Sequence, residues 1–428
     1  MCMIINKKKI VGLLEYIIAI CIVLDANTIW LDKNSTRKII NFIILCICII
    51  LIFIIDFNKE INKKKLISGS LLIIFLLFTN IIFIHLNLNG DGLKLYIERF
   101  IVFLPLTTIY FITRNKDMDN NLIIKISNII IILSILSLFF YIFGSNLNII
   151  TPNSKVLLDW GRERYINTYY NLHYEAQEIY VRGAKFIRNT GIFTEAPMYS
   201  FNLSIALMAQ LFFTTKVKTK KVILLIVTIF STTSLTGIIT VIVLISLKLL
   251  LIKSNRKLLR LIKAGIFPVI IVFLISIGFI FINEKINDSK SDERGSYSVR
   301  IDDFKIAYKA WEKNKYIGHG FLRHDITQKY MSSSRLYDTG GSNSLIIILP
   351  QGGLYLMLLY LVPILICIFV SIYRKDLNTF SEYIIAVLLF LSTNIPYTYM
   401  MIYFLAKGWS MIIQNEENIN FRKGFKVT

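Results

Sequence analysis

Apolar stretches of about twenty residues recur from one end of this chain to the other, and that recurrence constrains the fold more than any single motif. Such a stretch, wound as a helix, crosses the hydrocarbon of a bilayer while satisfying its own backbone. Of the 428 residues, 55% are hydrophobic, more than an ordinary soluble domain carries. The mean hydropathy of +0.61 agrees. The expected fold class is an all-α polytopic integral membrane protein, a single transmembrane bundle over residues 1–428. About twelve spans are read, at roughly 10–31, 38–55, 66–86, 93–113, 122–143, 194–213, 221–232, 235–252, 264–283, 343–372, 380–396 and 398–413.

The segments Lys7–Lys9, 58–65, 114–116, 216–221, 253–263, 373–375 and 421–426 are basic, and with an even number of spans all fall on one side. Short cytoplasmic loops collect Lys and Arg, so that side is read as the cytoplasm, and both termini lie in it. The same rule accounts for the formal net charge of +21. No basic domain lies outside the spans, so nucleic acid is excluded as a partner. The basic-then-apolar N-terminus lacks a small-residue cleavage site and is read as an uncleaved first span. The five cysteines, Cys2, Cys21, Cys46, Cys48 and Cys367, lie at the N-terminus or in apolar spans without metal-like spacing. Neither a disulfide nor a metal site is expected from them.

Two long loops then fall outside, at 144–193 and 284–342, and both are expected to contain short helices. At the end of the first, RNTGIFTEAP (188–197) leads into the apolar run 201–213. Arg188 and Glu195 thus stand at the lip of a bilayer, where charge is costly. Gly191 and Pro197 suggest a bent start to the span. A helix beginning near Ala196 would aim free N–H groups outward, toward an anion. Glu195 is a candidate base, with a helix-start carboxylate or a partner of Arg188 as the plainer readings. Tyr165, Tyr169, Tyr170, Tyr174 and Tyr180 offer rings for stacking on sugars, or else an interfacial belt or an amphipathic helix on the membrane. His173 among them reads as a surface residue.

In the second loop, SVRIDDFKIAYKAWEKN (298–314) has helical period, which puts Arg300, Phe304, Ala307 and Trp311 on one face. Arg300 on that face is either paired, with Asp302 or Asp303 among the candidates, or awaits an anion. Beyond it, YIGHGFLRH (316–324) sets His319, Arg323 and His324 in a stretch whose glycines permit close approach to a ligand. Lys94 and Glu98 in the fourth span have i,i+4 spacing and are read as a pair, leaving Arg99 for the interior. Otherwise few charges are read in span centres. STTSLTG (231–237) and LPQGG (349–353) are read as packing elements. There is no Gly-rich nucleotide loop with its lysine, no pair of aspartates at metal spacing and no G-x-S-x-G, so no cofactor is expected. Soluble nucleotide donors are cytoplasmic, so a substrate for the outer groups must already be outside and activated.

The pattern Arg-x-x-Gly-x-Phe-x-Glu-x-Pro at 188–197 resembles that of bacterial O-antigen and capsular polysaccharide polymerases. So does an arginine before a Trp-containing helix and a G-x-G turn, here Arg300, Trp311 and 318–320. So does SNSLIIILPQGG (342–353). The O-antigen ligases of the same superfamily usually carry His-Asn where this chain has Ser342 and Asn343, which favours the polymerase branch. The resemblance implies a metal-independent glycosyltransferase of the bacterial plasma membrane. Its substrates are polyprenyl-diphosphate-linked oligosaccharide repeat units, joined on the outer face in membrane lipid. It implies a chain-length regulator and a flippase of the same pathway as partners. Arg188, Arg300 and Arg323 are then expected on the diphosphate, because guanidinium contacts phosphate with two N–H groups and stays charged. Glu195, His319 and His324 are candidates for the group that takes the acceptor proton. Tyr169, Tyr170 and Asn343 are expected on the glycan. A ligase of finished glycan, or a transporter of the lipid-linked unit, is the alternative.

Overall fold

The computed structural model describes residues 2–32, 34–57, 63–87, 92–114, 121–159, 163–181, 184–251, 296–323, 325–331 and 341–424. The expected ninth span (264–283), the basic run 253–263, residues 284–295 and 332–340 of the second loop, and His324 lie outside the described residues. At every other expected span there is a helix. In chain order the helices used below are α1 Cys2–Asp25, α2 Ser35–Phe57, α3 Lys63–Leu86, α4 Leu93–Thr113, α5 Asn121–Phe140, α6 Ala196–Phe212, α7 Thr219–Ser231, α8 Leu235–Leu251, α9 Ser296–Lys313, α10 Ser344–Arg374, α11 Leu377–Ser392 and α12 Tyr399–Gly424. Among the described residues, α2, α3, α4, α5 and α10 are long and apolar enough to cross a membrane. The chain is a mostly helical multi-pass membrane protein.

Exposure separates lipid-facing helices from central ones. On α3, Leu71, Ile74, Phe75 and Phe78 are all exposed. Lipid tails are as apolar as leucine, so these rings and branches lose nothing by facing them. The opposite extreme is α6, buried continuously from Met198 to Phe212 and packed against α5, α7, α8 and α11. Close approach there depends on Gly237, where an added Cβ would meet Ser200 Oγ at 2.0 Å.

The first loop differs from expectation: it is built of strands, not short helices. β1 (Ser154–Leu158), β2 (Arg164–Tyr169) and β3 (His173–Tyr174) form an antiparallel sheet in that order, with Val156 opposite Ile166 and Thr168 opposite Tyr174. β4 (Glu178–Val181) and β5 (Ala184–Ile187) pair antiparallel beside it. The stretch YINTYY is β-branched and aromatic, residues that suit a half-buried pleated surface. Tyr165 is 72% exposed while Ile166 and Thr168 are buried, so no face of helical period exists here. Tyr170 and Asn171 reverse the chain with φ of 53° and 57°. His173 is fully buried rather than at the surface, with Nε2 3.3 Å from Ser145 Oγ. Burial pushes its pKa down to about 3.

The second loop does contain helices, α9 and the single turn Asp325–Gln328. Between them, residues 315–321 dock into a break in α10. Pro350 lacks an N–H and Gly353 has φ 56° and ψ −150°, so the helix opens there. The loop fills the gap: His319 N donates to Pro350 O at 2.9 Å, Gly320 N to Gln351 O at 3.2 Å, and Leu354 N to Lys315 O at 2.8 Å. Gly318, at φ 66°, leaves no room for a side chain, because a Cβ would lie 2.5 Å from the Gln351 and Gly352 backbone. LPQGG is therefore a docking notch for the loop, a packing role as the sequence suggested.

Gly318→Ala is expected to lower stability in detergent by about 2 kcal/mol or more, from both left-handed strain and the clash. Gly12→Ala, where the nearest atom to an added Cβ is Lys125 Nζ at 3.9 Å, is the near-neutral control in the same thermal melts. The His173 ring sets a second expectation. It stays neutral in the fold down to about pH 3, while an unfolded loop takes up a proton below about 6.5. The unfolded state then binds more protons, so the sheet loses stability as pH falls, by roughly 2 kcal/mol between pH 6.5 and 5. Hydrogen exchange of amides 154–174 measures this, and His173→Gln should flatten the dependence.

Candidate functional site

Residues 188–195 run with one turn between three neighbours, which fixes where Arg188 and Glu195 stand. Asn189 N donates to Ser231 O at 3.1 Å in the α7–α8 turn. Tyr174 N donates to Gly191 O at 3.0 Å, and Thr28 bridges Phe193 beyond the end of α1. Gly191 turns with φ 55° against the ring of Tyr199. Within this frame Arg188 Nε donates to Thr232 O at 2.9 Å and Nη1 donates to Gln177 Oε1 at 3.1 Å. Partial burial pushes the guanidinium pKa down, and the nearby Glu195 carboxylate pulls it back up. Glu195 precedes α6 in an extended conformation and its side chain makes no cap bond.

Gln177 is the residue sequence reasoning missed at this point. Its Oε1 also accepts from Ala196 N, at 3.0 Å, and so stands in for the helix cap. The start of α6 consequently offers an anion fewer N–H groups than expected: Ala196 is occupied and Pro197 has none. Nothing in the spacing from 177 to 196 signals the contact, because the β4–β5 pair lies between them.

The second group of candidates gathers where α9 crosses α10. A cleft there is lined by Asp303, Ile306, Arg323, Thr327, Ile346 and Gln351, with Met331, Gly341, Ile347 and Pro350 completing its wall. Arg323 holds Asp325 with two hydrogen bonds, Nε to Oδ1 at 3.0 Å and Nη2 to Oδ2 at 2.6 Å, which lowers the Asp325 pKa. His319 is not part of the cleft lining; its Nε2 is 2.7 Å from Ala310 O, so that bond has the imidazole donating. His324 lies outside the described residues.

Arg300 is placed differently from the sequence reading. The buried face of α9 is Asp303, Ile306, Ala307 and Ala310, while Arg300 and Phe304 are exposed. The face is rotated because α9 packs its small alanines against α10, where bulkier side chains would hold the helices apart. The charged group on that face is thus Asp303, 3% exposed, whose Oδ2 accepts from Ser342 N at 3.1 Å. Asn343 caps α10, its side chain accepting from Ile346 N at 3.0 Å, and is buried. That cap occupies the amide oxygen expected on a glycan. Tyr169 is likewise buried, stacked on Phe140 and donating to Glu175 Oε1 at 2.8 Å, so its ring is closed to sugars. Tyr170, 61% exposed, keeps an open face.

The spans also hold more charge than their sequence suggested. Glu98 is joined to Arg99 and to Tyr399, which donates to it at 2.6 Å, while Lys94 is exposed. Arg99 contacts Asp25 at 2.7 Å and lies 3.7 Å above the ring of Tyr399. A stretch of wider π-helical winding, Ile97–Phe103, presents this pair inward. Elsewhere Glu15 meets Arg114 and Lys125, and Lys407 meets Glu382 at 2.7 Å. Lone acids and bases in apolar spans on different helices were the available signal, since each needs a partner inside a bilayer. Among the described residues no group of His, Cys, Asp and Glu could hold a metal ion.

The family described as O-antigen ligase matches residues 222–361, from the start of α7 into the second half of α10. The matched stretch supplies Thr232, whose carbonyl holds Arg188, and both walls of the α9–α10 cleft. No curated protein matches the chain. The match over this segment supports the O-antigen ligase/polymerase superfamily that the motifs resemble.

Proposed function

We propose that this protein is a polysaccharide polymerase that joins polyprenyl-diphosphate-linked oligosaccharide repeat units at the outer face of a bacterial plasma membrane. The observation that carries the reading is a pair of polar sites, both contributed to by the family-matched segment, one linked to the end of α1 and the other to the start of α12. One is Arg188 with Gln177 and Glu195; the other is the α9–α10 cleft with Asp303 and Arg323. A leaving diphosphate carries several negative charges, and fixed guanidinium donors stabilise the charge as the bond breaks. Arg188 suits this task because Thr232 and Gln177 already hold its plane, and among the described residues Nη2 makes no hydrogen bond. Arg323 is paired with Asp325, itself half exposed, and such a surface pair yields readily to a phosphate. Tyr170 extends the site toward glycan.

Ser342 supports the polymerase branch, as the resemblance implies histidine there in ligases. The ligase reading, transfer of finished glycan to a lipid, protein or wall acceptor, keeps weight because the matching family is described as O-antigen ligase. Chain-length regulator and flippase partners follow from the polymerase reading and are part of the proposal.

A polysaccharide gel of a deletion strain tests it. Loss of the ladder with single repeats still reaching their final acceptor is the expected result. Full-length polymer retained on its carrier lipid would show a ligase instead. Complementation with Arg188→Ala should leave ladder synthesis down roughly 100-fold at equal membrane protein level, the usual effect of losing an oxyanion-type donor. Arg188→Lys should restore only part, because ammonium cannot make the two-pronged contact.

A further inference from the structure

We infer that Asp303 is the group in this site that takes the proton from the acceptor sugar's hydroxyl. The inference rests on the proposed glycosyl transfer. It adds a base that no reading of the motifs supplied.

Asp303 lies on the inner face of α9, almost wholly buried, and lines the cleft against α10. Its Oδ2 accepts the backbone N–H of Ser342 at 3.1 Å, the position at which the related ligases are expected to carry histidine. The carboxylate therefore stands beside the place where an imidazole would project. The Ser342 hydroxyl next to it is buried with no hydrogen-bond partner among the described residues. Position 342 thus offers a neutral hydroxyl, and the titratable group that reaches the same point comes from the facing helix.

The other candidate bases are less well placed. His319 is engaged by the Ala310 carbonyl and is not among the residues that line the cleft. Glu195 belongs to the Arg188 cluster, where its charge acts on the guanidinium. The cleft itself combines Asp303 with Arg323, Thr327 and Gln351 on apolar walls formed by Ile306, Ile346 and Pro350. A carboxylate and a guanidinium across one small cleft match the two ends of the transfer: an acceptor hydroxyl and a departing phosphate. Gln351 is held from behind by Tyr397, whose hydroxyl donates to Oε1 at 2.6 Å, so its amide N–H₂ is oriented for a sugar oxygen.

In the step, the acceptor oxygen forms a bond to the donor's anomeric carbon as its proton passes to Asp303. The bond from that carbon to the phosphate oxygen breaks, and its electron pair leaves on the diphosphate. Asp303 then returns the proton to solvent.

The test uses the full-length protein in lipid vesicles, with the lipid-linked repeat unit extracted from the deletion strain. Asp303→Asn can keep the bond from Ser342 N through its amide oxygen but cannot accept a proton. It is expected to cut the transfer rate roughly 100-fold while leaving KM for the lipid-linked unit within about threefold. Asp303→Glu should recover part of the rate. The wild-type rate should fall on acidification through one ionisation, and the residual rate of Asp303→Asn should not. If Asp303→Asn stays within about tenfold of wild type, or keeps the acid limb of the pH profile, the assignment is wrong. A drop in melting temperature that Asp303→Glu does not reverse makes the residue structural and also overturns it. Wild-type protein that transfers nothing in this assay would sink the polymerase reading itself, a result distinct from an active wild type with an equally active Asp303→Asn.

Discussion

Both polar sites hang from one buried ion cluster. Arg99 of α4 bridges Asp25 at the end of α1 and Glu98 of its own helix, and lies over Tyr399 at the start of α12. Asp25 also accepts the Tyr399 backbone N–H at 2.8 Å, so one carboxylate locks two helix ends together. Two residues past Asp25, the Asn27 carbonyl accepts from Thr194 N at 3.0 Å and holds the Arg188–Glu195 segment. Two residues before Tyr399, Tyr397 donates to Gln351 in the α9–α10 cleft. Inside a bilayer no water substitutes for a lost partner, so removing one member strands a charge, at a cost of several kcal/mol. The cluster thus holds in place the chain segments that carry both sites.

The second loop gains its rigidity differently. Residues 315–321 borrow backbone hydrogen bonds that α10 gives up at Pro350 and Gly353. Asn87 at the end of α3 completes the joint, accepting from Phe321 N at 2.9 Å and donating to Gln351 O at 3.3 Å. Phe321 then packs against Tyr96 and Tyr397. A helix break is costly in hydrocarbon unless protein groups satisfy the freed backbone. Here that satisfaction positions His319, Arg323 and one wall of the cleft.

Much of the spanning architecture was legible in the sequence. Runs such as 66–86 and 122–143 announce themselves because a bilayer demands about twenty apolar residues in a row. The Arg188–Pro197 segment was also legible as a polar interruption before α6. The sheet in the first loop was not, since its short strands gain stability from pairing with one another and from β3 packing on α5 rather than from their own pattern. Arg300 was misplaced for a related reason: period identifies that α9 is a helix, but which face is buried depends on the neighbour it meets. The Asn343 amide, one of the expected glycan contacts, turned out to serve the backbone of α10.

The sequence by itself determined that this chain lives in a membrane, where its helices run, and which superfamily its motifs resemble. Those properties are set by local hydropathy and by residue spacing within single segments. The tertiary structure alone decided that Gln177 holds Arg188 and the start of α6, that Asp303 rather than Arg300 faces α10, and that Arg99 ties Asp25 to Tyr399. Each of these joins residues remote in sequence, and a buried charge or donor takes its partner from whichever helix packing brings within reach.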